Sequence, residues 1–339
     1  MTRAKNEPLV VAEQGSFFVG GHTAFIPYAT GVEGFLSGSG HVVVDQTYVH
    51  YQIPAVRRYR FPVIMVHGGG HTGKTYETTP DGREGWATYF VRRGIAVYVV
   101  DMATRGRSSF DATQINLVHR GLAQPDTLPN IATLTQEGSW PNLRFGPELG
   151  IPFPGTQFPV EAADQYFAQI VSFPSPGQPA YSGDPEGQAV RLKTDPSYAA
   201  GLVALLEKIG PSILLTHSQS GVIGWETALT RPELVAGVVD VEGHVPSVED
   251  LVTIEGIPVR VIYGDFLDVP PCDGLWGPLI ARAKEYAADQ GASGGRGSLD
   301  LLPEAGIHGN SHMMMMDRNN LVVADRIFDW FDSVGIGET

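Results

Sequence analysis

The chain is almost without cysteine: Cys272 is the single one in 339 residues. That excludes an intrachain disulfide and any multi-cysteine metal centre. Positive charge is also short, with 23 Lys and Arg against 37 Asp and Glu, a net charge of −14. A surface of that sign argues against nucleic acid or an anionic membrane as a partner, because both are polyanions. No hydrophobic run approaches the ~20 residues of a membrane span. The first residues, Met1-Thr-Arg-Ala-Lys-Asn-Glu-Pro8, lack the apolar middle of a secretory leader. The expectation is a soluble, cytoplasmic protein. Internal repeats and low-complexity tracts are missing too. With 42% hydrophobic and 18% charged residues, what remains is globular material for one large α/β domain with an insertion.

Short apolar runs alternate with helix-compatible stretches over most of the length. Val63–Val66, Ile95–Val100, Ile213–Leu215, Val235–Val241, Val259–Tyr263 and Ser298–Leu302 read as strands. Helices are expected near Gly85–Arg93, Tyr198–Ile209, Val222–Leu229, Leu279–Gln290 and Leu321–Phe331. Continuously apolar strands separated by helices indicate a mostly parallel sheet covered on both faces. Upstream, Ser16–Val19, His41–Asp45 and Thr47–Gln52 read as a separate run of short strands joined by Gly-rich turns. Residues 123–192 break the rhythm with eleven prolines and a set of aromatics including Trp140, Phe145, Phe158 and Tyr166. This is too apolar for a disordered linker and too interrupted for another βα unit. The expected organisation is a core of residues 1–122 and 193–339, with 123–192 inserted as a cap over the carboxyl edge of the sheet.

Chemistry is concentrated at Ile213-Leu-Leu-Thr-His-Ser-Gln-Ser-Gly221. A strand stops at small polar residues centred on Ser218, and a helix follows at once. That is the layout of a nucleophile elbow, which raises one hydroxyl above the sheet edge beside a helix N-terminus. The usual G-x-S-x-G is altered, with Thr216 and Ser220 in the glycine positions. A serine-rich helix cap is the plainer reading of the same residues.

A second motif admits two readings. Gly68-Gly-Gly-His-Thr-Gly-Lys-Thr75 has the G-x-x-x-x-G-K-T spacing of a phosphate-binding loop and follows a strand. Such a loop needs a helix starting at Gly-Lys-Thr, and Pro80 with Asp81-Gly82 would end one after about a turn. The alternative is that His67-Gly-Gly-Gly70 donates a backbone N–H to an oxyanion.

With that loop, the Ser218 elbow and a late histidine, the chain resembles the α/β-hydrolase superfamily. The resemblance covers roughly residues 40–120 and 195–335, the fold class it implies being the α/β-hydrolase fold. The stretch Gly309-Asn-Ser-His-Met-Met314 looks most like a small bacterial carboxylesterase branch. In that branch the second histidine is catalytic and the triad acid is a glutamate after the sixth strand of the family's sheet. The resemblance therefore implies Ser218 as nucleophile, His312 as base and Glu242 as acid, with His308 as a structuring residue. Asp268, or Asp265 beside it, stands where most family members keep the acid, and Asp240 lies two residues before Glu242. Strand alternation would point Asp240 and Glu242 to the same side. Gly69 and Gln219 would supply the oxyanion-hole N–H groups. His71, Tyr76 and Met313 are candidate substrate contacts, each also readable as packing. The chemistry implied is hydrolysis of an ester, with a lactone or a C–C bond open on the same residues, and needs no metal or organic cofactor. A neutral or weakly polar small-molecule ester fits the net charge, although Arg105 or Arg107 could outweigh it at short range. A homodimer stays open.

Overall fold

The structure, a computed structural model, describes residues 8–26, 39–175, 195–246, 254, 256–270 and 272–337. Pro176, Pro179 and Pro185, counted toward the inserted cap, and the first seven residues lie outside them.

The chain begins with β1 (Val11–Ile26) and β2 (Gly40–Pro54), paired antiparallel. Two long strands thus replace the three short ones expected. The pairing runs from Gly20↔Gln46 to His22↔Val44 without losing register, and Gly20, Gly21 and Asp45 all have positive φ. Both strands bend at the same rung, so residues that read as turn signals bend the ladder instead of ending it.

There follow β3 (Val63–Val66), α1 (Trp86–Arg93), β4 (Val97–Asp101) and α2 (Thr113–His119). Next come β5 (Asn130–Ala132), α3 (Gln136–Asn142), α4 (Ala163–Phe167) and β6 (Phe173–Ser175), of which β5 and β6 form a two-stranded sheet of their own. The regular alternation resumes with α5 (Pro196–Ile209), β7 (Ser212–His217), α6 (Ser220–Thr230), β8 (Val235–Val241) and β9 (Val259–Tyr263). It closes with α7 (Asp273–Ser293), β10 (Gly297–Leu301) and α8 (Asn320–Ser333). The main sheet has the order β1-β2-β4-β3-β7-β8-β9-β10, parallel from β4 to β10 and antiparallel at β1 and β2.

The strand period of two divides the core between the faces of this sheet. Val63, Met65, Ile213 and Leu215 pack with Trp86 and Phe90 of α1 and with Ile327 and Phe328 of α8. Their strand neighbours Ile64, Val66 and Leu214 pack instead with Leu202 of α5, Trp225 of α6 and Tyr286 of α7. Burying each such side chain contributes about 1.5–3 kcal/mol, which is why these strands are apolar at every position. The carboxyl ends of β3, β4, β7, β8 and β9 meet along one edge, the place where an open α/β sheet holds its site.

Candidate active site

Ser218 follows β7 directly and has φ 54°, the left-handed backbone that a non-glycine residue adopts only where its surroundings impose it. Several contacts impose it here. The Ser218 N–H donates to Val241 O at 3.0 Å, and the N–H of Gly221 donates back to Ser218 O at 2.9 Å. Ser220, in the second glycine position, puts its hydroxyl between the His217 N–H at 2.8 Å and the carbonyls of Val66 and His217. Thr216, in the first, is accommodated by α6: a Cβ on Gly224 would lie 2.5 Å from Thr216 Cγ2. The glycine that the motif lacks on the strand is thus supplied one turn into the helix.

The loop after β3 lies against this elbow. A Cβ on Gly68 would come within 2.9 Å of His217 Nδ1 and 3.1 Å of Ser218 Cβ, so only glycine lets the two backbones approach. Gly69 faces Gln219, whose Oε1 is 3.3 Å from where a Gly69 Cβ would stand. The two residues expected to form the oxyanion hole therefore lie against one another, Gln219 directly following Ser218. His71 fixes the loop from above: a carbonyl can only accept, so His71 Nδ1 donates to Gly69 O at 2.6 Å, and Nε2 accepts from the Tyr166 hydroxyl at 2.9 Å. Burial lowers His71 to about 4, which keeps this neutral tautomer at ordinary pH.

Glu242, directly after β8, also has positive φ (57°). The turn separates it from Asp240, contrary to the expectation that both carboxylates point to one side. Asp240 reaches under the elbow to Thr216 Oγ1 (3.0 Å) and Trp225 Nε1 (3.1 Å), and burial raises it to about 7. Glu242 turns the other way. Its Oε2 lies 3.2 Å from His312 Nδ1, while Oε1 accepts from the Gly264 N–H at 2.6 Å and from Arg144 Nη2 at 2.5 Å. Burial would raise the Glu242 carboxyl, but the Arg144 guanidinium and the His312 bond outweigh it and hold it below the usual carboxylate range. Asp265, the other acid considered, serves the histidine loop: its carboxylate accepts from Gly309 N–H at 2.8 Å and lies 3.5 Å from His308 Nδ1. His308 is largely exposed, and the carboxylate on His312 belongs to Glu242 and not to Asp268.

His312 is almost fully buried between two rings, with His217 at 4.6 Å and Trp276 at 4.7 Å between centroids. His217 Nε2 donates to the His312 carbonyl at 2.9 Å. Asp317 holds the loop by accepting from the Ser311 N–H and hydroxyl, each at 2.8 Å. With Nδ1 donating to Glu242, the Nε2 lone pair of His312 is left for a proton. Burial is the main cause that lowers His312, Arg144 adds to it, and Glu242 opposes both.

Arg144 is the site residue that sequence reasoning missed. It comes from the segment between β4 and α5 and is completely buried. Besides Glu242 it reaches Asp265 O through Nε at 2.7 Å and lies over the Trp276 ring, 4.4 Å from its centroid. The preceding residue, Leu143, accepts from the His312 N–H at 3.0 Å. The only signal in the sequence was a lone charge between apolar neighbours, Trp140, Leu143 and Phe145.

Two of the expected substrate contacts lie in packing. Tyr76 is fully buried, donates to Val66 O at 2.8 Å and stacks on Trp86. Met313 and the three methionines after it belong to the core around α8. The phosphate-loop reading also fails on geometry. Gly73–Tyr76 forms only a four-residue 3-10 helix, and Asp101 accepts from Gly73 N–H (2.7 Å) and from Arg107 Nε (2.7 Å) instead of facing a ligand.

No protein-family model matches the chain. It is similar to "Probable secreted lipase phiG" from Fungal sp. (strain ATCC 74256), 28% identical over 328 residues, 84% of this chain and 85% of that one. That relative's description points to secretion and overturns the expectation of a cytoplasmic protein. A cleavable leader is removed from the mature protein, so the residues that form the fold carry little information on this point. Among solved structures, the chain is similar to one described as the atomic resolution structure of a novel bacterial esterase. The two are 39% identical with a TM-score of 0.88 over 98% of this chain and 99% of that one. With a mostly parallel sheet, a strained serine between strand and helix and a relative of that closeness over its whole length, the chain belongs to the α/β-hydrolase superfamily.

Proposed function

We propose that the protein is a serine carboxylic ester hydrolase working through Ser218, His312 and Glu242. The observation that carries the reading is the 3.2 Å contact of Glu242 Oε2 with His312 Nδ1, beside a serine held at φ 54°. Ser218 Oγ attacks the ester carbonyl carbon and its proton passes to His312 Nε2. The N–H groups of Gly69 and Gln219 stabilise the resulting oxyanion, at about 3–4 kcal/mol per donor. The C–O bond to the alcohol then breaks, and His312 returns the proton to the departing oxygen. Water attacks the acyl-serine by the same route and releases the acid. Glu242 orients the imidazole and balances its transient positive charge. The 123–192 insertion acts as a cap, and in its described part Leu134 packs on Gly70, Val171 N–H donates to Gly70 O at 2.9 Å, and Tyr166 holds His71.

The test is a panel of aryl and alkyl esters and lactones, run with the wild type and Ser218→Ala, together with labelling by a fluorophosphonate. Ester turnover and labelling that both vanish in the variant support the reading. Turnover that survives the substitution sinks it, and a panel in which only lactones react would remove the ester assignment.

A further inference from the structure

The loop after β4 carries two arginines with different surroundings. Arg107 is engaged by Asp101, through Nε at 2.7 Å and Nη2 at 3.2 Å. Arg105 is fully buried, and among the described residues no carboxylate lies within ion-pair distance of it, Asp195 acting on it only from farther away. Its Nη2 donates to Gln219 Oε1 at 3.2 Å, while Nε and Nη1 have no partner among the described residues. The guanidinium is walled by aromatic rings, with Phe173 at 3.3 Å and Tyr198 at 5.5 Å. Burial lowers it only to about 10, so it is a cation at every physiological pH. A buried cation with unused donors is costly in a protein interior, and an anion brought to it relieves that cost.

Its place relative to the nucleophile decides which part of a substrate it meets. In the sheet order β4-β3-β7-β8, Arg105 follows β4 and Glu242 follows β8, on opposite sides of the β7 elbow. The departing alcohol must lie where His312 can protonate it, on the Glu242 side. A group that reaches Arg105 therefore belongs to the acyl portion. Gln219, which is half-buried and directly follows Ser218, links the two, because its Oε1 accepts from Arg105 Nη2. Arg107 is unsuited to this part because Asp101 already balances its charge.

We propose that Arg105 binds a carboxylate on the acyl portion of the substrate, so that the preferred ester is a half-ester of a dicarboxylic acid. This rests on the Ser218 reading above and narrows it, replacing the neutral or weakly polar ester expected from the sequence.

The experiment compares kcat/KM for monoethyl glutarate and ethyl pentanoate, which have acyl chains of equal length and differ in the terminal carboxylate. Wild type, Arg105→Lys and Arg105→Met are measured, and fluorophosphonate labelling reports whether Ser218 is reactive in each. A charge-assisted contact in a buried site predicts a preference of about 10- to 100-fold for the charged ester in wild type. The ratio should shrink in Arg105→Lys and fall to about one in Arg105→Met, mainly through KM. A wild-type ratio near one overturns the proposal, whether or not the Met variant folds. A preference that survives Arg105→Met also overturns it. So does an equal loss on both esters, which would mean that Arg105 only positions Gln219. If Ser218 labels and ethyl pentanoate is hydrolysed without preference, this inference alone falls. If Ser218 does not label and neither ester reacts, the esterase reading falls with it.

Discussion

Replacing Arg144 by Met removes one partner of a fully buried ion pair and leaves the other in place. Glu242 would keep the Gly264 N–H and His312 but lose the charge 2.5 Å from its Oε1. Breaking a buried pair from one side costs about 3–5 kcal/mol, because an uncompensated charge remains in the interior. With about 2.1 cal/mol/K of unfolding entropy per residue over 339 residues, that corresponds to a fall in Tm of roughly 4–7 °C. The pH dependence should move with it. Glu242 is held below the usual carboxylate range against the effect of burial. It thus contributes stability that is present above its unfolded pKa of about 4.3 and is lost as pH falls through the lower folded value. Without Arg144 the folded value rises, and acid unfolding should begin at higher pH. His312 is lowered in wild type by burial and by Arg144, against Glu242. A general base must be neutral, so the acid limb of kcat/KM should lie below the ordinary histidine value of about 6.5 and shift upward in Arg144→Met. Looser orientation of Glu242 should lower kcat by up to about 100-fold with a smaller change in KM. Thermal melts, urea melts across pH and a pH–rate profile measure all of this. A variant with the melting temperature and the acid limb of wild type would refute the argument.

Ser218→Ala should reduce kcat by about 10⁴- to 10⁶-fold with an unchanged melting temperature, since triad members act as a unit; substantial residual turnover would place the nucleophile elsewhere. Glu242→Gln should cost about 10⁴ in kcat by favouring the wrong His312 tautomer, a loss that Asp268→Asn should not reproduce. Gly224→Ala should destabilise by about 1–3 kcal/mol through overpacking on Thr216 Cγ2. Thr216→Ser, which removes that methyl and keeps the hydroxyl on Asp240, should recover most of the loss in urea melts; an additive double variant would show that the two residues do not compete for space. Lys74→Ala should change turnover little, because Lys74 Nζ donates to the nearby Thr78 O at 2.5 Å, and saturable ATP binding abolished by that substitution would contradict it.

The alternation of apolar runs and helices was enough to read the parallel sheet, because a strand buried on both faces has no polar positions to blur its limits. Val235–Val241 was readable to the residue. The N-terminal strands were not, since Gly20, Gly21 and Asp45 carry the same composition whether a ladder ends or only bends. At the site, the Ser218 elbow was readable from a strand that stops at small polar residues before a helix, whereas Glu242 and His312 were expected only through the family resemblance. Arg144 was open to neither route. Its role depends on a segment folding back across the sheet edge, and no local pattern encodes where such a segment lands. The direction of Glu242 was likewise invisible, because a positive φ at a non-glycine residue leaves no mark in composition.

The contact of Leu143 and Arg144 with both proposed partners of Ser218 bears on how this enzyme could be re-engineered. Exchanging the segment between β4 and α5 for another would be the natural way to change which substrates fit. Here the same few residues anchor the His312 backbone and balance the Glu242 charge. A graft that discards them would deliver a new pocket over a slack triad. A chimera that retains residues 140–145 and varies the chain on either side would keep the chemistry while altering the roof. On the proposed reading the covering segment and the triad are not separable modules, and directed evolution would have to treat them as two regions joined at one short stretch of sequence.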